Sequence, residues 1–180
     1  MIRAPALAAV LGLASSYAAL AIGPPDPPVQ TETTRTCPEG TFWDTQLGRC
    51  MGIRNSQLDE ADLVETAREL AYANRYDDAI ALLNMSTMPE DSMILTYLGF
   101  AHRRAGRMDI GLAYYDRALA ADPDNLLARA YLGMAHLTLG QLWAAQGQLA
   151  QIRVRGGVGT WPHRALSEAL ANTDGTGFDY

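Results

Sequence analysis

The sequence predicts an all-α fold, a short array of helical hairpins preceded by a leader and a small disulfide loop, and three observations carry that reading. Tyr97-Leu98-Gly99-Phe100-Ala101-His102 returns 34 residues later as Tyr131-Leu132-Gly133-Met134-Ala135-His136, with Gly106 echoed by Gly140. A fixed period of that length marks stacked units, each burying its apolar face only against its neighbours. From Asp59 to about Ile152 the pattern is helical: Leu95, Leu98, Gly99 and His102 fall at i, i+3, i+4 and i+7, one stripe of a 3.6-residue helix. Cys37 and Cys50 both precede this stretch, in a chain whose first residues read as an export signal.

The elements follow in order. Residues 1–21 form the expected signal peptide: Arg3 supplies positive charge, an apolar run follows from Ala6 to Ile22, and Ala19 and Ala21 stand in Ala-x-Ala spacing. Cleavage is expected after Ala21, with Ser16-Tyr17-Ala18 as a second site, which makes the protein periplasmic or secreted. An uncleaved segment anchored in the inner membrane is the alternative. No cysteine stands at the cleavage site to be lipidated. Residues 22–36, with Pro24, Pro25, Pro27 and Pro28, read as a flexible Pro/Thr-rich linker.

Residues 37–51 read as a β-hairpin-like loop with Gly40 and Gly48 at its turns, and Phe42 and Trp43 as its bulky apolar groups. In an oxidising compartment an even cysteine count implies a Cys37–Cys50 disulfide rather than a metal site or a thiol nucleophile. A bridge over such a loop stabilises by about 3 kcal/mol in the chain-entropy model.

Helical units are expected at about 60–91, 92–125 and 126–159 within a domain spanning 58–171. The middle unit is the clearest, with Gly106 between its helices and Asp122-Pro123 closing the second, because proline cannot continue the hydrogen-bond ladder. The first unit has Leu63, Ala67 and Leu70 in its core slots and is two residues short, with the shortening expected around Ser86 to Pro89. The third leads through Gly156-Gly157-Val158-Gly159 into a capping helix at 161–171. The Gly, Thr and Asp-rich tail, 172–180, is expected to be disordered.

In the middle unit, Leu95, Leu98, Gly99, His102, Gly111, Tyr115, Ala118 and Pro123 resemble the tetratricopeptide repeat, whose pattern runs Trp-x2-Leu-Gly-x2-Tyr, then Ala-x3-Phe, a small residue and Pro. His replaces Tyr and Gly replaces Ala. The third unit keeps Arg129, Leu132, Gly133, His136, Ala145 and Leu149 but has Ile152 and Gly157 where the family has a small residue and proline. The resemblance covers roughly 100 residues and implies a helical-hairpin solenoid of about three repeats.

It also implies a concave groove lined by the first helix of each unit, along a stripe beside the core stripe. Those positions are Thr96, Phe100, Arg103 and Arg104 in the middle unit, Val64, Arg68 and Tyr72 in the first, and Ala130, Met134 and Thr138 in the third. The ligand candidates are Arg68, Tyr72, Thr96, Phe100, Arg103, Arg104 and Met134. Guanidinium groups fork onto carboxylates while aromatic and thioether groups take an apolar neighbour, which suits an extended peptide with an acidic residue or a free C-terminus. The competing assignment is that these arginines are solvated or paired with Glu65, Glu69 or Asp109. The family's carboxylate-binding groove uses Lys and Asn at particular slots; these are missing here, so that mode is not carried over.

Composition narrows the function. The fourteen basic residues are all Arg, the acidic ones number twenty, and the net charge of −6 argues against a nucleic-acid partner held by its phosphates. With no lysine, neither Schiff-base catalysis nor a Gly-Lys-Ser/Thr phosphate loop is possible. His102 and His136 share one repeat slot and read as core histidines, since no Cys or carboxylate stands at ligand spacing beside them. Asp77-Asp78 reads as helix-dipole compensation. The expectation is an exported scaffold or adaptor for a protein or peptide partner, not an enzyme, with no cofactor and no metal. The alternative rests on Cys-Pro-x-Gly-x-x-Trp-Asp-x5-Cys, which is similar to a fragment of peritrophin-type chitin-binding modules and would make Trp43 a contact for peptidoglycan or another glycan.

Overall fold

The computed structural model describes residues 37–172. The expected leader, the linker and all but the first residue of the expected tail lie outside them. In chain order the elements are β1 (Thr41–Asp44), β2 (Arg49–Gly52), a 3-10 turn (Ile53–Asn55), α1 (Glu60–Tyr72), α2 (Tyr76–Leu83), α3 (Ser92–Arg104), α4 (Met108–Ala121), α5 (Leu126–Thr138), α6 (Leu142–Val154) and α7 (Trp161–Ala171). The described chain is therefore mostly helical, with one two-stranded sheet.

β1 and β2 pair antiparallel, with Phe42 opposite Met51, Trp43 opposite Cys50 and Asp44 opposite Arg49. The Cys37–Cys50 disulfide is formed. Strand alternation sends Phe42 into the core beside Ile53, leaving Trp43 half-buried on the other face. At the tip, Asp44 accepts the amides of Gln46 and Leu47 at 2.9 and 2.8 Å, and Gly48 takes a φ of +62°. At its base the loop is held by one ion pair: the Arg75 guanidinium bonds Asp78 and donates to the carbonyls of Cys37, Pro38 and Thr41, while Gly40 donates its amide to Asp78 at 2.9 Å. Asp78 is thus a clamp for the loop and Asp77 bonds Arg107 at 2.7 Å, so both make specific bonds in addition to compensating the helix dipole.

Six of the seven helices form three hairpins, built from the same local parts. Each first helix begins on a capping side chain that accepts amides of its own first turn: Asp59, Asp91 and Asn125. Each hairpin turns through a left-handed residue, Asn74 at φ +63°, Gly106 at +81° and Gly140 at +71°. Asn is the non-glycine residue best suited to that region. In the first hairpin α2 has only eight residues, and the loop after it is tied back to α1: Ser86 and Thr87 donate to the Glu60 carboxylate at 2.6–2.7 Å.

α1 packs on α2, α3 on α4, α5 on α6, and α7 on both α5 and α6. Neighbouring hairpins join through α2 on α3 and α4 on α5, while the first helices α1, α3 and α5 also touch in sequence. Gly99 permits the α3–α4 approach, since a Cβ there would lie 2.6 Å from the fully buried Tyr115 ring and 3.1 Å from the Gly111 carbonyl. The equivalent Gly133 receives a different partner, Leu166 of α7, also at 2.6 Å.

Gly99→Ala should therefore cost about 1–3 kcal/mol, because the Tyr115 ring has nowhere to move. Gly147 lies within α6, and a Cβ added there meets nothing within 4 Å. Gly147→Ala should stabilise by about 0.5–1 kcal/mol through helix propensity. Urea unfolding of the two variants should give shifts of opposite sign.

Candidate functional site

The predicted groove residues converge along the line of first helices, though not all on the surface. Tyr72 of α1, Phe100 of α3 and Tyr131 of α5 form a ladder with ring centroids 5.0 and 4.9 Å apart, and Trp161 of α7 meets Tyr131 edge-on at 6.0 Å. Tyr72 and Tyr131 also share a hydrogen bond between their hydroxyls. Phe100 and Met134 are buried in the core cluster, so the expectation that they directly contact a ligand needs correction. Aromatic groups on helices this close fill the space between them rather than line an open channel.

Thr96 needs the same correction for another reason. It is fully buried at the junction of the second and third hairpins, donating to the Ser92 carbonyl at 2.6 Å and accepting from Asn125 at 3.0 Å. Asn125 also bonds the Ser92 hydroxyl at 2.7 Å, so this small polar network satisfies the buried groups where two hairpins meet.

The half-buried residues of the set are Tyr72 and the arginines Arg68, Arg103 and Arg104. Arg68 pairs with Glu65 at 2.8 Å, one of the pairings the sequence had offered. Arg103 lies over the Phe100 ring at 5.7 Å and donates to Tyr115 at 3.4 Å. Arg104 lies over the Tyr76 ring at 5.9 Å and donates to its hydroxyl at 3.2 Å. Each arginine is thereby oriented at a partly exposed position, with its stem on apolar or aromatic surface.

His102 and His136 are half-buried at the ends of α3 and α5, not in the core. Each bonds the residue five positions on, Arg107 at 2.9 Å and Gln141 at 2.7 Å. His102 stacks on Tyr114 at 5.3 Å, and partial burial followed by the nearby Arg107 charge lowers its pKa below the usual 6.5.

A second concavity lies between the disulfide hairpin and α1. This cleft of about 580 Å³ is walled on one side by Trp43, Asp44 and Leu47 and on the other by Asp62, Glu65 and Glu69. Its residues occupy a stripe of α1 next to the one carrying Arg68 and Tyr72. Trp43, a bulky apolar group of the loop, stands half-buried at the boundary between the loop and α1.

No protein-family model and no curated protein matches this chain. Among the described residues no group of three or more His, Cys, Asp or Glu could hold a metal ion, and no helix is long and apolar enough to cross a membrane.

Sequence reasoning missed the parts Tyr131, Tyr115 and Trp161 play in the ladder. The repeat echo placed Tyr131 at a slot, but only the approach of α5 to α3 shows that its ring meets Phe100. The acidic wall of the cleft was missed too. Asp62, Glu65 and Glu69 at helical spacing was the available signal, and it looks like any solvated face until a hairpin packs beside it.

Burial raises the pKa of all four ladder-region tyrosines above 10.0: Tyr72 to about 12, Tyr97 and Tyr115 higher than usual, and Tyr131 well above it. A folded-state pKa raised above the unfolded one contributes stability fully present below the unfolded pKa of 10.0 and lost as pH rises through the folded pKa. Absorbance titration at 295 nm should show these four tyrosines ionising only with alkaline unfolding, above the range where exposed tyrosines titrate. Tyr72→Phe should remove its own share of that pH dependence.

Proposed function

We propose that this chain is an exported tetratricopeptide-type scaffold that holds an acidic peptide or protein segment along its row of first helices. The carrying observation is that Arg68 and Arg103 stand half-buried beside the Tyr72–Phe100–Tyr131 ladder, with Arg104 next in sequence held over Tyr76, each oriented by a carboxylate, a ring or a phenol. Three guanidinium groups on an otherwise acidic protein attract a carboxylate-bearing segment, and their planar forks can bind it in a bidentate manner. The buried Phe100 and Met134 support the surface from beneath and do not touch the ligand.

The three hairpins, with equivalent caps and left-handed turns 32 to 34 residues apart, support the solenoid reading. The terminal α7, whose Leu166 and Ala165 bury against the last hairpin, behaves as a cap on an array. The Cys37–Cys50 bridge supports a periplasmic or secreted location. The proposed role is binding without catalysis or cofactor.

Arg103→Glu with Arg104→Glu should weaken binding of a Glu-rich peptide, or capture of an acidic envelope partner, by at least about tenfold. Each lost charge-assisted bond contributes roughly 1.5–3 kcal/mol. Calorimetric titration with the circular dichroism spectrum as a folding control measures this. Unchanged affinity in the folded double variant overturns the assignment.

A further inference from the structure

The cleft beside α1 has a chemistry opposite to that of the arginine row. Trp43, Asp44, Asp59, Asp62, Glu65 and Glu69 all line it, and no arginine among the described residues does. We propose that this cleft is a second binding site, taking an extended peptide segment that carries arginine or lysine at alternate positions.

Spacing argues for a chain rather than a point ligand. Asp59, Asp62, Glu65 and Glu69 advance along α1 in steps of about one turn and together span about 15 Å at 1.5 Å per residue. An extended peptide covers that distance in about five residues, with alternate side chains about 6.6 Å apart, close to the pitch of one helical turn. The carboxylates are thus strung along the cleft instead of converging, which is the wrong arrangement for a metal ion. The hairpin wall supplies the half-buried Trp43 as a face for a cation, and Leu47, Met51 and Leu58 also line the cleft for the aliphatic stems.

Several of the carboxylates have local interactions, Glu69 among them, and no arginine among the described residues lines the cleft. Asp44 accepts the amides of Gln46 and Leu47, and Asp59 accepts the amide of Asp62, in each case a neutral donor. Glu65 shares Arg68, which does not line the cleft. A cationic segment relieves the mutual repulsion of these groups, and an uncharged sugar does not. Two sites of opposite preference, meeting on α1 where Arg68 and the acidic residues occupy adjacent stripes, would let the chain hold an acidic and a basic segment side by side, which rests on the function proposed above.

The test uses the full chain in a Trp143→Phe background, since Trp143 is 86% exposed and would dominate the solvent-sensitive emission, whereas Trp161 is buried. Titration with the peptide Arg-Ala-Arg-Ala-Arg at low ionic strength should give a saturable shift in Trp43 emission that weakens as salt is added. The peptide Glu-Ala-Glu-Ala-Glu should give none. Asp62→Asn with Glu65→Gln should weaken the arginine peptide at least about tenfold, and Asp62→Arg alone, at an exposed position, should do so without disturbing the fold. Absence of a saturable shift, affinity unchanged in both variants, or a shift produced by an N-acetylglucosamine oligomer and not by the arginine peptide would each overturn the proposal.

Discussion

The contact on which the rest of the molecule depends is the Tyr115 ring against Gly99. Because position 99 has no side chain, α4 comes close enough to α3 for the ring to fill the space a Cβ would take. Tyr115 then stands 6.3 Å from Tyr131 of the next hairpin and accepts a hydrogen bond from Arg103 of its own. One buried ring thus sets the spacing of the middle hairpin, contacts the third and orients a guanidinium of the candidate surface. Packing is the source of that coupling, since a close-packed interior transmits a displacement instead of absorbing it.

The two ends of the row of helices are finished by different physics. At the amino-terminal end an ion pair does the work: Arg75 satisfies three loop carbonyls and Asp78 takes the Gly40 amide, so a loop too small for its own core is held by charge-assisted bonds and a disulfide. At the carboxyl-terminal end the work is apolar. Leu166 enters the space over Gly133 that Tyr115 occupies over Gly99, and Trp161 closes the aromatic ladder. An apolar helix face must be covered by something, and α7 covers that of the third hairpin.

The helical character and the disulfide were legible in advance because both depend on local or pairwise signals. Leu95, Leu98 and Gly99 fall on one stripe whatever surrounds them, and the two cysteines of the sequence have only each other to pair with. The site was less legible. The helical wheel placed Thr96, Phe100 and Met134 on the stripe beside the core, but a wheel describes one helix alone. α5 lies against α3 closely enough to bury that stripe, and Asn125 reaches across to Thr96. The arginines escaped burial because their charged ends must reach water or a partner, which their long stems allow.

From its sequence alone this protein is determined to be helical in period from Asp59 onward, broken at Gly106 and its echo Gly140, closed at Asp122-Pro123, and stapled at Cys37 and Cys50. Each of these properties belongs to a residue and its near neighbours along the chain. Only the tertiary structure decided which aromatic rings close the ladder, that Asp78 clamps the loop, and that the acidic stripe of α1 faces Trp43 across a cleft. Those facts depend on the distance between elements far apart in sequence, and that distance is set by the volumes of buried side chains such as Tyr115 and Leu166, summed over the whole core.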